Sequence, residues 1–221
     1  MARAGGSTRY QIGNAQWIGL REVQSNYFST FFTDSGDLIA VVADGAVDHP
    51  NGRNSAVIAV EHCMDKFIRV EFPHNAELPD VSRFMLEIAR EANKRVQDSV
   101  YLGVPPRLSL TVVYFSGRTA HFFDVGTNKF FLYNGRNEQL LNQPANTPYR
   151  TGRHDIKREE VFGIFTAGTH SALQPVERIK IVGSAGKGKI FDKAQTIIEA
   201  VKARNFLNQL NATALLIEAR I

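Results

Sequence analysis

The chain has 221 residues, of which 43% are hydrophobic and 22% charged, with a formal net charge of +4. That is enough chain for one domain with a substantial core, and the composition excludes a disordered polyelectrolyte. Its mild basicity, without a dense Lys/Arg run interleaved with aromatics, argues against a nucleic-acid binder.

In chain order, residues 1–8 are small and polar and are expected to be a flexible N-terminus. Residues 10–20 read as a strand ending in a turn at Gly19, with Trp17 as its structural anchor. Residues 27–32 are β-rich, the Asp34–Asp37 cluster is a turn, and 38–43 form a second apolar strand that runs into Asp44-Gly45. Residues 53–69 place Val57, Val60, Met64, Phe67 and Ile68 on one helical face. A second helix follows Pro79, with Asp80 as N-cap and a stripe from Val81 to Val100, until Pro105-Pro106 breaks the chain. Strands are expected over 108–115, 120–125 and 129–133, with Gly117, Gly126 and Asn134-Gly135 at the turns. Residues 142–158 are polar and show no period. A strand over 161–166, a helix over 191–204 and a last strand over 212–219 complete the chain. Antiparallel runs of strands with paired helices predict an α+β sandwich: two antiparallel sheets face to face, with helices on the outer faces.

Six stretches carry a resemblance. They are Gly19-Leu-Arg-Glu-Val-Gln-Ser-Asn26, Val-Val-Ala-Asp44-Gly45 with His49 and Gly52, Leu110-Thr111-Val-Val, Phe-Asp-Val-Gly126-Thr-Asn-Lys with Ile164-Phe-Thr-Ala-Gly168, and Asn211-Ala-Thr-Ala-Leu-Leu-Ile217. In order and approximate spacing they resemble the PPM (protein phosphatase type 2C) family of metal-dependent Ser/Thr phosphatases. The resemblance spans nearly the whole chain and implies one PPM-like domain over residues 9–221, with helix–sheet–sheet–helix layers. It also implies two Mg²⁺ or Mn²⁺ ions held by Asp carboxylates, which lower the pKa of a bridging water and stabilise the transferring phosphoryl group.

Position by position, the match is partial. The family's opening Arg, which would hold the substrate phosphate, is Arg21, but the acidic pair after it falls on Ser25 and Asn26. The Asp-Gly pair after the second strand is kept as Asp44-Gly45. The Gly-Asp-Ser turn becomes Gly126-Thr127-Asn128, the late Asp-Gly becomes Ala167-Gly168, and the C-terminal Asp-Asn becomes Leu210-Asn211. The helical flap usual in bacterial members is shortened to the segment near 142–160. Asn26, Thr127, Ala167 and Leu210 are therefore degenerate metal positions, Asp44 and Gly45 vestigial metal positions, and Arg21 a vestigial phosphate-binding residue. The expectation is a pseudophosphatase with no catalytic residues and no metal cofactor, acting on a protein partner, either a phosphoprotein or a kinase. The alternative is a weak or unconventional Mn/Mg-dependent phosphatase in which Asp34, Asp37, Asp48 or Asp124 rebuilds the site.

Other signals are weaker. Gly183-Ser-Ala-Gly-Lys-Gly188-Lys189 approaches a phosphate loop but puts Ile190 where a hydroxyl residue is needed, so a nucleotide sensor is a third reading. The histidines lack zinc-site spacing; His121 is expected to pack in a strand, and Thr169-His170-Ser171 to be a polar loop. Cys63, the one cysteine, is expected to be a core residue of an intracellular protein. MARAGGSTRY has no apolar h-region, so the expectation is a cytoplasmic protein without a membrane anchor or nucleic-acid partner.

Overall fold

The computed structural model describes residues 9–46, 49, 51–69, 78–99, 107–183 and 189–221. The N-terminal segment 1–8, Asp48, Val100, Pro105-Pro106 and residues 184–188 of the glycine-rich loop lie outside the described residues.

Ten strands and five helices follow in the order β1 (Tyr10–Trp17), β2 (Asn26–Phe32), β3 (Leu38–Gly45), α1 (Gly52–Arg69), α2 (Leu78–Asp98), β4 (Leu108–Ser116), β5 (Thr119–Val125), β6 (Lys129–Asn134), β7 (Asn137–Leu140), β8 (Tyr149–Asp155), β9 (Val161–Phe165), α3 (Ala167–His170), α4 (Pro175–Val182), α5 (Ile190–Lys202) and β10 (Ala212–Ala219) among the described residues. They build two antiparallel five-stranded sheets, ordered β1-β10-β9-β6-β7 and β2-β3-β4-β5-β8. This is the expected sandwich.

Three apolar layers hold it together. Leu38, Ala40 and Val42 of β3 and Val113 and Phe115 of β4 face Phe130, Phe162, Ile164, Leu215 and Ile217 of the other sheet. Phe162 anchors this central layer, edge-on to Phe115 at 5.2 Å and stacked on Phe130 at 5.9 Å between centroids. The alternate residues of the same strands, Ile39, Val41 and Ala43, turn outward to the α1–α2 layer with Val60, Cys63, Phe67 and Met85. Burial pushes the Cys63 thiol up to about 12, so it packs as an inert hydrophobe. On the other sheet, α5 sets Ala194, Ile197, Ile198 and Val201 against Ala214 and Leu216. Trp17 packs beside this third layer, and His121 is buried against Tyr114.

Two edge strands and two short helices were not foreseen. Tyr149–Asp155 forms β8 and pairs along its length with β5, although its sequence reads as polar and aperiodic. The reason is its place: an edge strand keeps Arg150, Arg153, His154 and Asp155 half in solvent, and such charges protect the edge from further pairing. β7 is an edge strand too, with Asn137 and Gln139 exposed and Glu138 turned in to Arg178 at 2.6 Å. Thr169 and His170 belong to α3 rather than to a loop. Pro175 opens α4, where the Gln174 N–H donates to the Glu177 carboxylate at 2.9 Å. Asp80 lies within the first turn of α2 rather than at its N-cap.

Candidate functional site

Strand parity builds the site. Each central strand points alternate residues between the sheets, and at one end of the sandwich that inward stripe changes from apolar to polar. Leu38, Ala40 and Val42 lead to Asp44; Val113 leads back to Thr111 and Ser109; Phe122 leads to Asp124; Ile164 leads to Thr166; and Leu215 leads back to Thr213 and Asn211. Registers Asn26↔Asp44 and Asp44↔Ser109 place three of these side by side.

The cluster is tied across the two sheets. Asn26 Nδ2 donates to the hydroxyls of Thr166 (2.9 Å) and Thr213 (3.1 Å). The Ala167 N–H donates to the Asp44 carboxylate. Ser109 Oγ lies 3.1 Å from Thr127 Oγ1 and accepts the Thr127 N–H at 3.0 Å. His170 Nε2 meets the Thr127 carbonyl at 3.0 Å. Burial raises the Asp44 carboxyl from 3.8 to about 6 against the stabilising Ala167 N–H.

Asn211 organises the loop between β1 and β2. Its Oδ1 accepts from the Ser25 N–H at 2.9 Å and from the Ser25 hydroxyl, while its Nδ2 donates to the carbonyls of Ile18 (2.6 Å) and Val23 (3.1 Å). Leu20 N–H adds a bond to the Gln209 carbonyl at 3.1 Å. Gly19 has φ +70, and a Cβ there would stand 2.6 Å from the carbonyl oxygens of Gln209 and Leu210. Gly45 is required for a different reason: a Cβ would meet the Gly52 carbonyl at 2.0 Å, where α1 begins. Arg53, one residue into α1, donates to the Asn26 carbonyl at 2.5 Å and lies 4.8 Å over the Tyr27 ring.

The fold thus brings together the loop of Arg21, Asn26, Asp44, Gly45, Thr127, Ala167 and Leu210, all at this end of the sandwich. Thr166, Thr213 and Ser109 complete the cluster and were not singled out in the sequence. Their signal was a hydroxyl residue at an inward-facing position next to an apolar run.

The other acids are placed apart. Asp37 begins the turn end of β3, opposite Asp44, and its carboxylate accepts from the Tyr114 hydroxyl (2.9 Å), the Ser116 hydroxyl (3.1 Å) and the Gly117 N–H (3.2 Å). Asp34 is exposed in that same turn. Asp124 faces between the sheets but is bound to Thr111 Oγ1 (2.6 Å) and Arg150 Nε (2.7 Å). Burial raises its pKa, and the Thr111 and Arg150 contacts oppose that rise. A cavity of about 790 Å³ lies at the opposite end of the β1-containing sheet, lined by Tyr133, Val161, Gly183, Lys193 and Ala219 among others. Its buried Lys193 ammonium donates to the Val182 carbonyl (2.8 Å) at the C-terminus of α4, a helix-capping role.

No family profile matches the chain in sequence, and no curated protein matches it. Solved structures do. The chain has the fold of the metal-dependent serine/threonine phosphatases, as the resemblance implied. It is similar to the S. agalactiae serine/threonine phosphatase, with TM-score 0.82 and 17% identity over 96% of this chain and 100% of that one. Stp1 from Staphylococcus aureus gives TM-score 0.82 at 10% identity, covering 100% and 98% of the two chains. The catalytic domain of the phosphatase PstP in complex with 2 manganese ions gives 0.78 at 10% identity, covering 96% and 99%.

The PstP structure corrects one expectation. The absence of a metal cofactor does not stand for a chain of this fold, since that neighbour carries manganese. The donors here fit part of such a centre. Asp44 supplies a carboxylate, and Asn26 Oδ1, beside it in register, is buried without a donor among the described residues. Both are oxygen donors of the kind manganese takes. Thr127, Ala167 and Leu210 add no carboxylate, and no group of three or more His, Cys, Asp or Glu with metal-site geometry occurs among the described residues. Among the described residues, Asp44 and Asn26 Oδ1 therefore supply two oxygen donors and a single carboxylate, short of a carboxylate-bridged pair.

Proposed function

We propose that this chain is a phosphatase-fold module that recognises a phosphorylated protein segment without turning it over. The observation that carries the reading is the chemistry of the polar end. Around Asp44 it offers amides and hydroxyls, Asn26, Thr166, Thr213 and Ser109, already bonded across the sheets. Hydrolysis of a phosphate ester at neutral pH needs a generated hydroxide and concentrated positive charge at the leaving group. Neutral side chains bonded to one another supply neither by themselves, and Asp44 is the one carboxylate beside them that could hold metal for both tasks. A phosphate needs less: donors and a cation. Arg21 Nε is buried without an acceptor among the described residues, and a guanidinium is suited to phosphate oxygens. Manganese or magnesium, held by Asp44 and Asn26, would add positive charge for the same phosphate. The partner is therefore read as a phosphoprotein. No described helix is long and apolar enough to cross a membrane, and a cytoplasmic place is proposed with the partner.

The test is phosphate release from a phosphoserine peptide and from an aryl phosphate in millimolar manganese, beside an Asp44→Ala variant. Release that exceeds the no-protein blank and vanishes in the variant would overturn the reading in favour of a weak manganese-dependent phosphatase. The expected result is no release, with peptide binding that weakens at least tenfold when Arg21 is changed to Ala.

A further inference from the structure

Lys193, on α5, is 7% exposed, and no carboxylate is paired with it among the described residues. Its ammonium has three protons to donate, and the Val182 carbonyl, at 2.8 Å, takes one of them. A lysine that only caps a helix end keeps its head in water. Burying the ammonium strips that hydration, and a single neutral carbonyl does not replace it. Buried lysines are accordingly found with a counter-charge. Lys193 lines the cavity of about 790 Å³ at the end of the sandwich opposite Asp44, so a counter-charge has a place to sit beside it.

The rest of the lining decides the charge and size of what fits. Its other cations are Arg158 and Arg220, and its carboxylates are Glu159 and Glu218. Each carboxylate already faces an arginine: Arg158 Nε is 3.7 Å from Glu159 Oε1, and Arg220 Nε donates to Glu218 Oε2 at 3.1 Å. The acids are thus matched at the rim, and the charge left over is the buried one on Lys193, which suits a monoanion. The volume is many times that of a water molecule and falls in the range of small-molecule sites, too large for a bare ion to fill. The walls are mixed, with apolar Val161, Val182 and Ala219 beside the exposed Asn134. Their shape is set before anything binds: a Cβ at Gly183 would stand 2.1 Å from the Gly135 carbonyl oxygen, so the end of α4 is seated directly on the turn between β6 and β7. A ligand would therefore lose little affinity to ordering the site. We infer that this cavity binds a small organic monocarboxylate, with the carboxylate on Lys193 and the body against those walls. The site is separate from the Asp44 end and does not depend on the function proposed there.

The experiment titrates the full chain, at constant ionic strength, with four probes: hippurate, which carries a carboxylate, an amide and a ring; its neutral analogue hippuramide; acetate; and inorganic phosphate. Binding and its location are read together from methyl NMR signals. Millimolar hippurate should shift the methyls of Val161, Val182 and Ala219 and leave those of Val23 and Ala167, at the Asp44 end, in place. It should bind roughly tenfold or more tightly than hippuramide, the ratio that one charge-assisted contact sustains, and more tightly than acetate or phosphate. Lys193→Met keeps the stem and removes the charge, so the variant should bind hippurate and hippuramide equally. A variant that melts lower but keeps the wild-type preference for hippurate would show that Lys193 serves α4 alone, and would overturn the inference. The comparison of acid and amide on the wild type needs no variant. Equal affinity for the two, shifts confined to the Asp44 end, or no shift at millimolar hippurate would each overturn the site. Displacement of hippurate by an equal concentration of phosphate or acetate would overturn the ligand class.

Discussion

Replacing Asp44 by Asn should stabilise the protein, and only above acidic pH. Burial lifts this carboxyl from 3.8 to about 6. In the folded state it therefore keeps its proton over a range in which the unfolded chain has released it. Stability contributed by the protonated form is fully present below about pH 4 and is lost as pH rises to about 6, beyond which folding carries the cost of a buried carboxylate. At about 1.4 kcal/mol per pH unit the full shift corresponds to about 3 kcal/mol, and partial solvent access lowers this to roughly 1–3 kcal/mol. Asn has the shape of the protonated acid and still accepts the Ala167 N–H, so the variant lacks this pH dependence. The assay is urea unfolding in EDTA at about pH 4, 6 and 8. Wild type and variant should agree near pH 4, with the variant ahead by roughly 1–3 kcal/mol at pH 8. A constant difference across the range, or a wild type that gains on the variant as pH rises, would refute the electrostatic account of this end of the sandwich.

Three further outcomes follow from named contacts. Arg150→Ala strips the charged partner from fully buried Asp124 and should cost about 3 kcal/mol at neutral pH, with part regained near pH 4, read by the same urea curves. Asn211→Ala removes the amide that holds Ile18, Val23 and Ser25; it should cost about 2–3 kcal/mol and raise hydrogen exchange of the 18–25 loop above that of β1. Asp37→Ala, at the far end of β3, should destabilise by about 2–4 kcal/mol through the lost carboxylate bonds from the Tyr114 and Ser116 hydroxyls and the Gly117 N–H, while leaving phosphopeptide binding unchanged.

The sandwich was legible because its central strands and long helices obey strict periods. β3 and β4 read as apolar runs since both faces are covered, one by the other sheet and one by α1 and α2. β7 and β8 were not legible, since an edge strand has one paired side and its residues answer to solvent as much as to the core. The site was visible as motifs around Asp44 and Arg21 but not as a cross-sheet network. Thr166 and Thr213 are remote in sequence, and only the packing of β9 and β10 against β2 puts their hydroxyls on the Asn26 amide. Likewise, Asp37 and Asp124 look like spare ligands in a one-dimensional reading; strand direction sends the first to the wrong end, and Arg150, on the unforeseen β8, occupies the second.

This division of the molecule separates the apolar layers that carry the fold from the polar end around Asp44. The apolar layers end before Asn26, Asp44, Thr166 and Thr213; the buried side chains of Asn26, Thr166 and Thr213 bond to one another across the sheets instead of packing in those layers. A cluster of carboxylates at the same place repels itself unless cations compensate it, and so works against folding. Asn26 adds no charge beside Asp44 and bonds Thr166 and Thr213 on the opposite sheet. Asn211 anchors the Arg21 loop with a neutral side chain. Together these neutral contacts make a rigid polar end in which Asp44 is surrounded by amides and hydroxyls bonded across the sheets.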